Sequence, residues 1–245
     1  MKTKIIYEPA GKAKEYSPLA ANLYSGCSHG CKYCYVPKFC KKNQEEFHQE
    51  VKPRKDILKL IEIDSLIMKN QQIQPVLLCF TCDPYQPEEE KLMVTRRVLK
   101  IFKRYGVPFQ VLTKGGMLAE RDFDLYTEKD LFATSLTLLD EKDSLEWEPG
   151  ARLPQERIET IKIANKAGIK TWVSLEPVID PYQTLEIIRL THSFVDKFKV
   201  GKLNHHAHQK NIDWKKFALQ AIELLEKLGK DYYIKIDLAE YLKTA

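Results

Sequence analysis

From residue 75 onward, short apolar runs alternate with longer stretches whose apolar residues recur every three or four positions. "PVLLCF" (75–80) reads as a buried strand, and "EEEKLMVTRRVLKIFKRYG" (88–106) has helical spacing that stops at Gly106. "PFQVLT" (108–113) predicts a second strand, followed by a weaker helix over 118–129. "LFATSLTLL" (131–139) predicts a strand, and "PQERIETIKIANKAG" (154–168) a helix with proline at its start and glycine at its end. "IKTWVSL" (169–175), "PYQTLEIIRL" (181–190) and "FVDKFKV" (194–200) continue the series as strand, helix, strand. "DWKKFALQAIELLEKLG" (213–229) is a helix capped by Asp213 with its aromatics at core spacing, and "DYYIKI" (231–236) is a closing strand. A strand at 20–24 and a helix at 56–69 complete the pattern.

Such alternation implies a parallel sheet with helices outside it. About six β/α units fall short of the eight of a complete barrel. The expectation is therefore an α/β fold of one domain spanning 1–245, a partial (β/α)6 TIM-like barrel, with a doubly wound sheet as the alternative. The core runs from 18 to 205 with a cysteine loop at 25–36, and 206–245 forms a C-terminal helix and strand extension. In parallel α/β folds chemistry collects at the C-terminal ends of the strands. Cys27, Cys79, Cys82, Asp83, Lys114, Ser135, Glu176, Lys202, Asn204 and His205 all fall at or near such ends.

Composition changes this picture little. A chain of 245 residues can bury a sizeable core, and no stretch has the apolar length to cross a bilayer. The basic N-terminus lacks the apolar core of a secretory signal, so a cytoplasmic location is expected, where clustered thiols serve metals or chemistry more often than disulfides. The net charge of +5 admits an acidic partner such as nucleic acid, and six of the Lys and Arg residues lie together at 38–56.

The chemistry concentrates in "NLYSGCSHGCKYCYV" (22–36), which places Cys27, Cys31 and Cys34 at intervals of four and three. Structural zinc asks for four protein ligands, here Cys40, His29, Cys79 or Cys82 as the fourth. Three cysteines from one loop suit a cubane cluster whose fourth iron stays open. The spacing C-x₃-C-x₂-C, with an aromatic before the last cysteine, resembles the cluster motif of the radical S-adenosylmethionine superfamily. That resemblance implies a [4Fe–4S] cluster, S-adenosyl-L-methionine bound at the open iron, a 5′-deoxyadenosyl radical that abstracts hydrogen from a substrate, and an electron donor such as a reductase or a flavodoxin- or ferredoxin-type protein.

Further segments, "CDPYQPEE", "VLTKGG", "EPGARLPQERIETIKIANKAGI" and "SLEPVIDP", follow in the order seen in proteins similar to spore photoproduct lyase, the DNA repair photolyase-like group. By this resemblance Tyr33 flanks the cofactor, Asp83 meets its amino group, Lys114 its carboxylate and Ser135 its ribose. Tyr33 and Tyr35 match tyrosines near the lyase's hydrogen-donating cysteine. Phe80 occupies the position of that donor, with Cys79 and Cys82 one and two positions away. Strand alternation puts Phe80 and Cys82 on one side, making Cys82, with Tyr35, the catalytic candidate. Arg157, on a helix face, reads as plain solvation. "NHHAHQ" (204–209) places His205, His206 and His208 at the mouth, as substrate or cofactor contacts more than metal ligands. The expected activity is that of a lyase-like radical S-adenosylmethionine enzyme, with nucleic acid, DNA or RNA, as the first expected substrate and a peptide or small molecule left open. The alternative is a zinc-stabilised nucleic-acid-binding module without catalysis.

Overall fold

A computed structural model describes residues 5–243. Its centre is a seven-stranded sheet, parallel throughout, curled into a half-barrel whose strands, Leu19–Ala20, Val76–Leu78, Phe109–Thr113, Leu131–Ser135, Lys170–Val178, Lys197–Lys202 and Asp231–Ile234, lie side by side in chain order. β1 (Leu19–Ala20) is short, and the chain turns out of the sheet into β2 (Tyr24–Ser25), which pairs antiparallel with β3 (Lys52–Pro53). Between β2 and β3 lie the cysteine loop and two short helices, α1 (Val36–Phe39) and α2 (Gln44–Gln49). α3 (Ile57–Met68) leads to β4 (Val76–Leu78).

The helix expected at 88–106 is two helices, α4 (Glu89–Leu92) and α5 (Val94–Tyr105), because Met93 between them takes a left-handed φ of 49°. The two ends meet on one side chain: Glu89 accepts the Val94 and Thr95 amides, each at 3.0 Å, supplying the cap that α5 otherwise lacks. β5 (Phe109–Thr113) follows, and the weak helix expected at 118–129 is a 3₁₀ helix over Gly116–Leu125. β6 (Leu131–Ser135) stops four residues short of the apolar run that predicted it. Then come α6 (Glu141–Trp147), which the apolar pattern did not reveal, α7 (Pro154–Lys166), β7 (Lys170–Val178), α8 (Pro181–Thr191), β8 (Lys197–Lys202), α9 (Trp214–Lys227), β9 (Asp231–Ile234) and α10 (Ile236–Lys243).

Alternation along the strands separates two apolar groups. Val76, Leu78, Phe109, Val111, Phe132, Val173 and Val200 face the helices and form the main core. Ala20, Leu77, Ala133 and Trp172 face inward, where Tyr16, Phe80, Leu112 and Leu131 pack on them and plug the floor of the half-barrel.

The open flank between β1 and β9 is strapped by the N-terminal segment. Tyr7 bridges Ala20 by a pair of 2.9 Å backbone bonds. Further along, Glu15 accepts the Ile236 amide at 2.8 Å, and Lys12 pairs with Asp237. Tyr16 enters the bowl, where its hydroxyl bonds to Glu176 and lies 2.9 Å from Ser174 Oγ. Lys235 Nζ bonds Glu176 at 2.7 Å, so three segments distant in sequence meet on one carboxylate. Among the described residues no helix is long and apolar enough to cross a membrane.

Candidate active site

The cysteine loop stands at the C-terminal mouth of the half-barrel and is anchored from three sides. From α2, Phe47 O accepts the Cys27 amide at 3.2 Å and His48 Nδ1 lies 2.7 Å from Cys27 O. From the segment after β4, Gln86 accepts the Ser28 amide at 3.0 Å and Glu88 accepts the Ser28 hydroxyl at 2.7 Å. From the end of α6, Trp147 O accepts the Lys32 amide and Gly150 N donates to His29 O, both at 2.9 Å. Gly26 has φ 89° and sits so close to the Phe47 carbonyl that a Cβ would come within 2.8 Å of it.

All three cysteines are free thiols, Cys31 buried and Cys27 and Cys34 half-buried. Burial pushes each thiol up, Cys31 to about 12. Binding a metal would displace those protons. Among the described residues no three His, Cys, Asp or Glu side chains gather closely enough to hold a single ion. Sulfurs around one tetrahedral zinc lie about 3.8 Å apart for bonds of about 2.3 Å, whereas thiolates on separate corners of a cubane stand farther apart. The chemistry of the donor set, three cysteines on one loop, fits a cluster with one open iron.

Lys114, the residue after β5, faces this loop. Its backbone amide donates to Asp83 Oδ2 at 2.7 Å, and its ammonium lies 5.7 Å from the Tyr33 ring centre. Burial favours loss of the Lys114 proton, but the charges of Glu148 and Cys31 outweigh this and hold its pKa above the ordinary lysine value. Asp83 accepts the Tyr85 amide at 2.8 Å and the Thr113 hydroxyl at 2.5 Å, and lies 3.5 Å from His29 Nδ1. Its carboxylate thus knits the end of β5 to the cysteine loop. Burial lowers the pKa of His29, which keeps the imidazole neutral. Ser135 ends β6 on the inward side, two residues beyond Ala133.

The residue that organises the site was not among the sequence candidates. Glu148, at the C-terminus of α6, accepts from Tyr33 OH, from Thr137 Oγ1 at 2.8 Å and from Arg157 Nη1 at 2.6 Å, with the Lys114 ammonium 3.9 Å away. Arg157 is therefore no solvated helix residue: it and Glu148 are each 1% exposed, its Nε donates to Arg152 O and its Nη1 donates to Ser135 O as well. The signal for it lay in the pattern, since Pro154, Arg157, Ile161 and Ala164 form the buried face of α7 and a cation on such a face is nearly always paired. Burial pushes the Glu148 carboxyl up, but Arg157, Lys114 and the bonds from Tyr33 and Arg157 bring it down to about 2.

Cys82 does not share a side with Phe80. β4 ends at Leu78, so strand alternation stops before either residue. Phe80 packs inward, its ring centre 6.0 Å from that of Tyr16, whereas Cys82 packs with Cys79 against the helix-side core. The two thiols are hydrogen-bonded neighbours, and the bond from Cys79 with those from the Tyr24 and Leu23 amides outweighs burial to lower Cys82. Tyr35 is 52% exposed beside Cys34, with Glu176 also near it. His206 and His208 turn to the indole of Trp147, at ring separations of 4.9 and 5.5 Å, and His205 is exposed.

A parallel half-barrel with a three-cysteine loop and a buried cation at one mouth is the α/β frame of this site. Residues 21–195 match the family model described as the Radical SAM superfamily, and the chain belongs to that family. An uncharacterized protein of Acidianus two-tailed virus is 28% identical over 93% of this chain and 83% of its own length. An uncharacterized protein of Methanocaldococcus jannaschii is 30% identical over 75% of this chain and 69% of its own. Among solved structures, a variant of spore photoproduct lyase with bound AdoMet and dinucleoside spore photoproduct superimposes with a TM-score of 0.71 at 13% identity, covering 92% of this chain and 78% of that one. SuiB of Streptococcus suis bound to S-adenosylmethionine gives 0.63 at 14% identity, covering 88% of this chain and 49% of that one. These likenesses establish the fold.

Proposed function

We propose that the chain is a radical S-adenosylmethionine enzyme in which Cys27, Cys31 and Cys34 hold a [4Fe–4S] cluster and Tyr33, Asp83, Lys114 and Ser135 surround S-adenosylmethionine. The supporting observation is the convergence of Lys114 on the three-cysteine loop, with its ammonium kept charged by the buried Glu148. When bound, the cluster and S-adenosylmethionine supply a 5′-deoxyadenosyl radical that takes hydrogen from a substrate.

The protein's part is placement and exclusion of water. The Lys114 ammonium pairs with a carboxylate, and the Ser135 hydroxyl serves a ribose oxygen. Asp83 acts through the Lys114 backbone and His29, setting the height of the strand end against the loop. Tyr33, turned by its bond to Glu148, walls the cofactor from the α6 side. Tyr35, exposed and near Glu176, meets the substrate, a role its exposure supports better than the packing of Cys82 supports hydrogen donation.

For the substrate we infer a nucleic acid. The resemblance to the lyase group, the dinucleoside bound by the lyase variant and the basic stretch at 38–56 support this reading. Lesion repair by the lyase's own route lacks its donor thiol, because Phe80 holds that place. Anaerobic reconstitution tests the proposal: about four irons per chain and reductive formation of 5′-deoxyadenosine, stimulated by nucleic acid, are expected. Stoichiometric zinc without iron overturns it.

A further inference from the structure

Helix α1, directly after the cysteine loop, turns an unusual set of side chains to solvent. Phe39 is 72% exposed and Tyr35 52% exposed. The two residues stand one helical turn apart, a spacing that shares a side, joined by the 3.1 Å bond from Phe39 N to Tyr35 O. The turn is not loose. Val36 and Pro37 are buried beneath it, and Cys40 N and Lys42 N donate to Val36 O and Pro37 O at 2.8 and 2.9 Å. The two exposed residues thus stand on a fixed backbone.

The charge around them has one sign. The sequence holds no Asp or Glu between Glu15 and Glu45, while Lys32, Lys38, Lys41 and Lys42 fall in that interval. Lys32 pairs with Glu146 at 3.0 Å and Lys42 approaches Glu46 at 3.9 Å. Among the described residues Lys38 and Lys41, which flank Phe39, have no carboxylate partner.

We propose that the Tyr35–Phe39 face of α1 is a docking surface for an unpaired nucleic-acid strand, with bases stacking on the two rings and phosphates meeting Lys38 and Lys41. The proposal rests on the nucleic-acid reading above and names the form of the strand and where it is held. Flat aromatic faces interleaved with unpaired cations match alternating bases and phosphates. A duplex hides its base faces within the stack and offers these rings nothing. An acidic protein would use the lysines and leave two rings in water. Because Tyr35 follows Cys34 and lies near Glu176, a base stacked there sets its neighbour over the mouth of the bowl.

The test measures binding of a fluorescent single-stranded oligothymidylate of about fifteen nucleotides to the reconstituted holoenzyme, by anaerobic fluorescence anisotropy, beside the same strand annealed to oligodeoxyadenylate. The single strand is expected to bind more tightly than the duplex. Phe39→Ala should weaken single-strand binding about tenfold while Phe39→Tyr retains it, the loss expected for one stacked base. Lys38→Gln with Lys41→Gln should reduce the slope of log affinity against log salt by about 1.4. Iron content and circular dichroism establish that each variant is folded. Equal affinity for the duplex, or an unchanged affinity in Phe39→Ala, overturns the proposal. So does a lysine variant that binds the oligonucleotide normally but is reduced more slowly by an acidic flavodoxin, which would give this face to an electron donor. Formation of 5′-deoxyadenosine by the wild-type holoenzyme is followed in the same preparation. Its absence defeats the radical reading, whereas cleavage without strand binding defeats only the docking surface.

Discussion

Arg157 Nη1 stands 2.6 Å from Glu148 Oε2 with both side chains sealed from water, and this pair sets the orientation of Tyr33 and Lys114. A buried ion pair adds little net stability over an apolar replacement of both partners, but removing one partner strands the other charge. Arg157→Met should therefore cost about 3–5 kcal/mol, read as a shift in the urea midpoint under anaerobic conditions. An unchanged midpoint would remove the pair from the account of the site.

The same carboxylate makes stability depend on acid. Glu148 titrates at about 2 in the folded chain against 4.5 for the free side chain, so the unfolded chain binds the extra proton between those values. Its contribution is complete above pH 4.5 and disappears as pH falls towards 2. Urea titrations across that window should show wild type losing stability more steeply than Glu148→Gln; parallel curves would contradict the assignment.

Gly150 seats the end of α6 against the cysteine loop. A Cβ there would run into the Ser28 carbonyl and come within 2.9 Å of His29 Cα, both backbone atoms that cannot swing aside. Gly150→Ala should cost about 1–3 kcal/mol and lower the iron retained after reconstitution, because the loop must shift to admit the methyl group. Normal iron content in a folded variant counts against the loop as the cluster site.

Lys199, buried on the inner face of β8, donates to Tyr16 O at 2.8 Å and lies 4.5 Å from the Trp172 ring centre. Burial, with the nearby Lys197 and Lys235, lowers its pKa to about 8 from 10.5. Between those values the unfolded chain binds more protons, so stability rises with pH. Thermal melts from pH 8 to 10 should show this rise in wild type and not in Lys199→Met.

The two candidates for hydrogen return separate by substitution. Cys82→Ala should leave both 5′-deoxyadenosine and product formation near wild-type levels, since its thiol is held at the Leu23 and Tyr24 amides outside the bowl. Tyr35→Phe should keep cofactor cleavage and lower product at least tenfold, a modest general acid–base or donor effect. Product abolished by Cys82→Ala alone would restore the thiol to the mechanism.

What the sequence determined by itself was the periodic and the local. The strand and helix alternation, the parallel half-barrel and the spacing of Cys27, Cys31 and Cys34 were legible because period and spacing are properties of neighbouring residues. Even the exposed pair Tyr35 and Phe39 follows from four-residue spacing once α1 is known. Only the tertiary structure decided which distant groups share a site. Glu148 caps a helix that shows no apolar rhythm, and Arg157 looks like any surface cation until α7 is laid on the sheet. That Asp83 also ties the end of β5 to the cysteine loop is visible only in its bonds to Thr113, Tyr85 and Lys114. Phe80 and Cys82 part company because β4 ends at Leu78, and backbone hydrogen bonding between strands, not the apolar run, sets that end. Charges are placed by long-range pairing in a low-dielectric interior, and a one-dimensional pattern carries no record of which partner will be there.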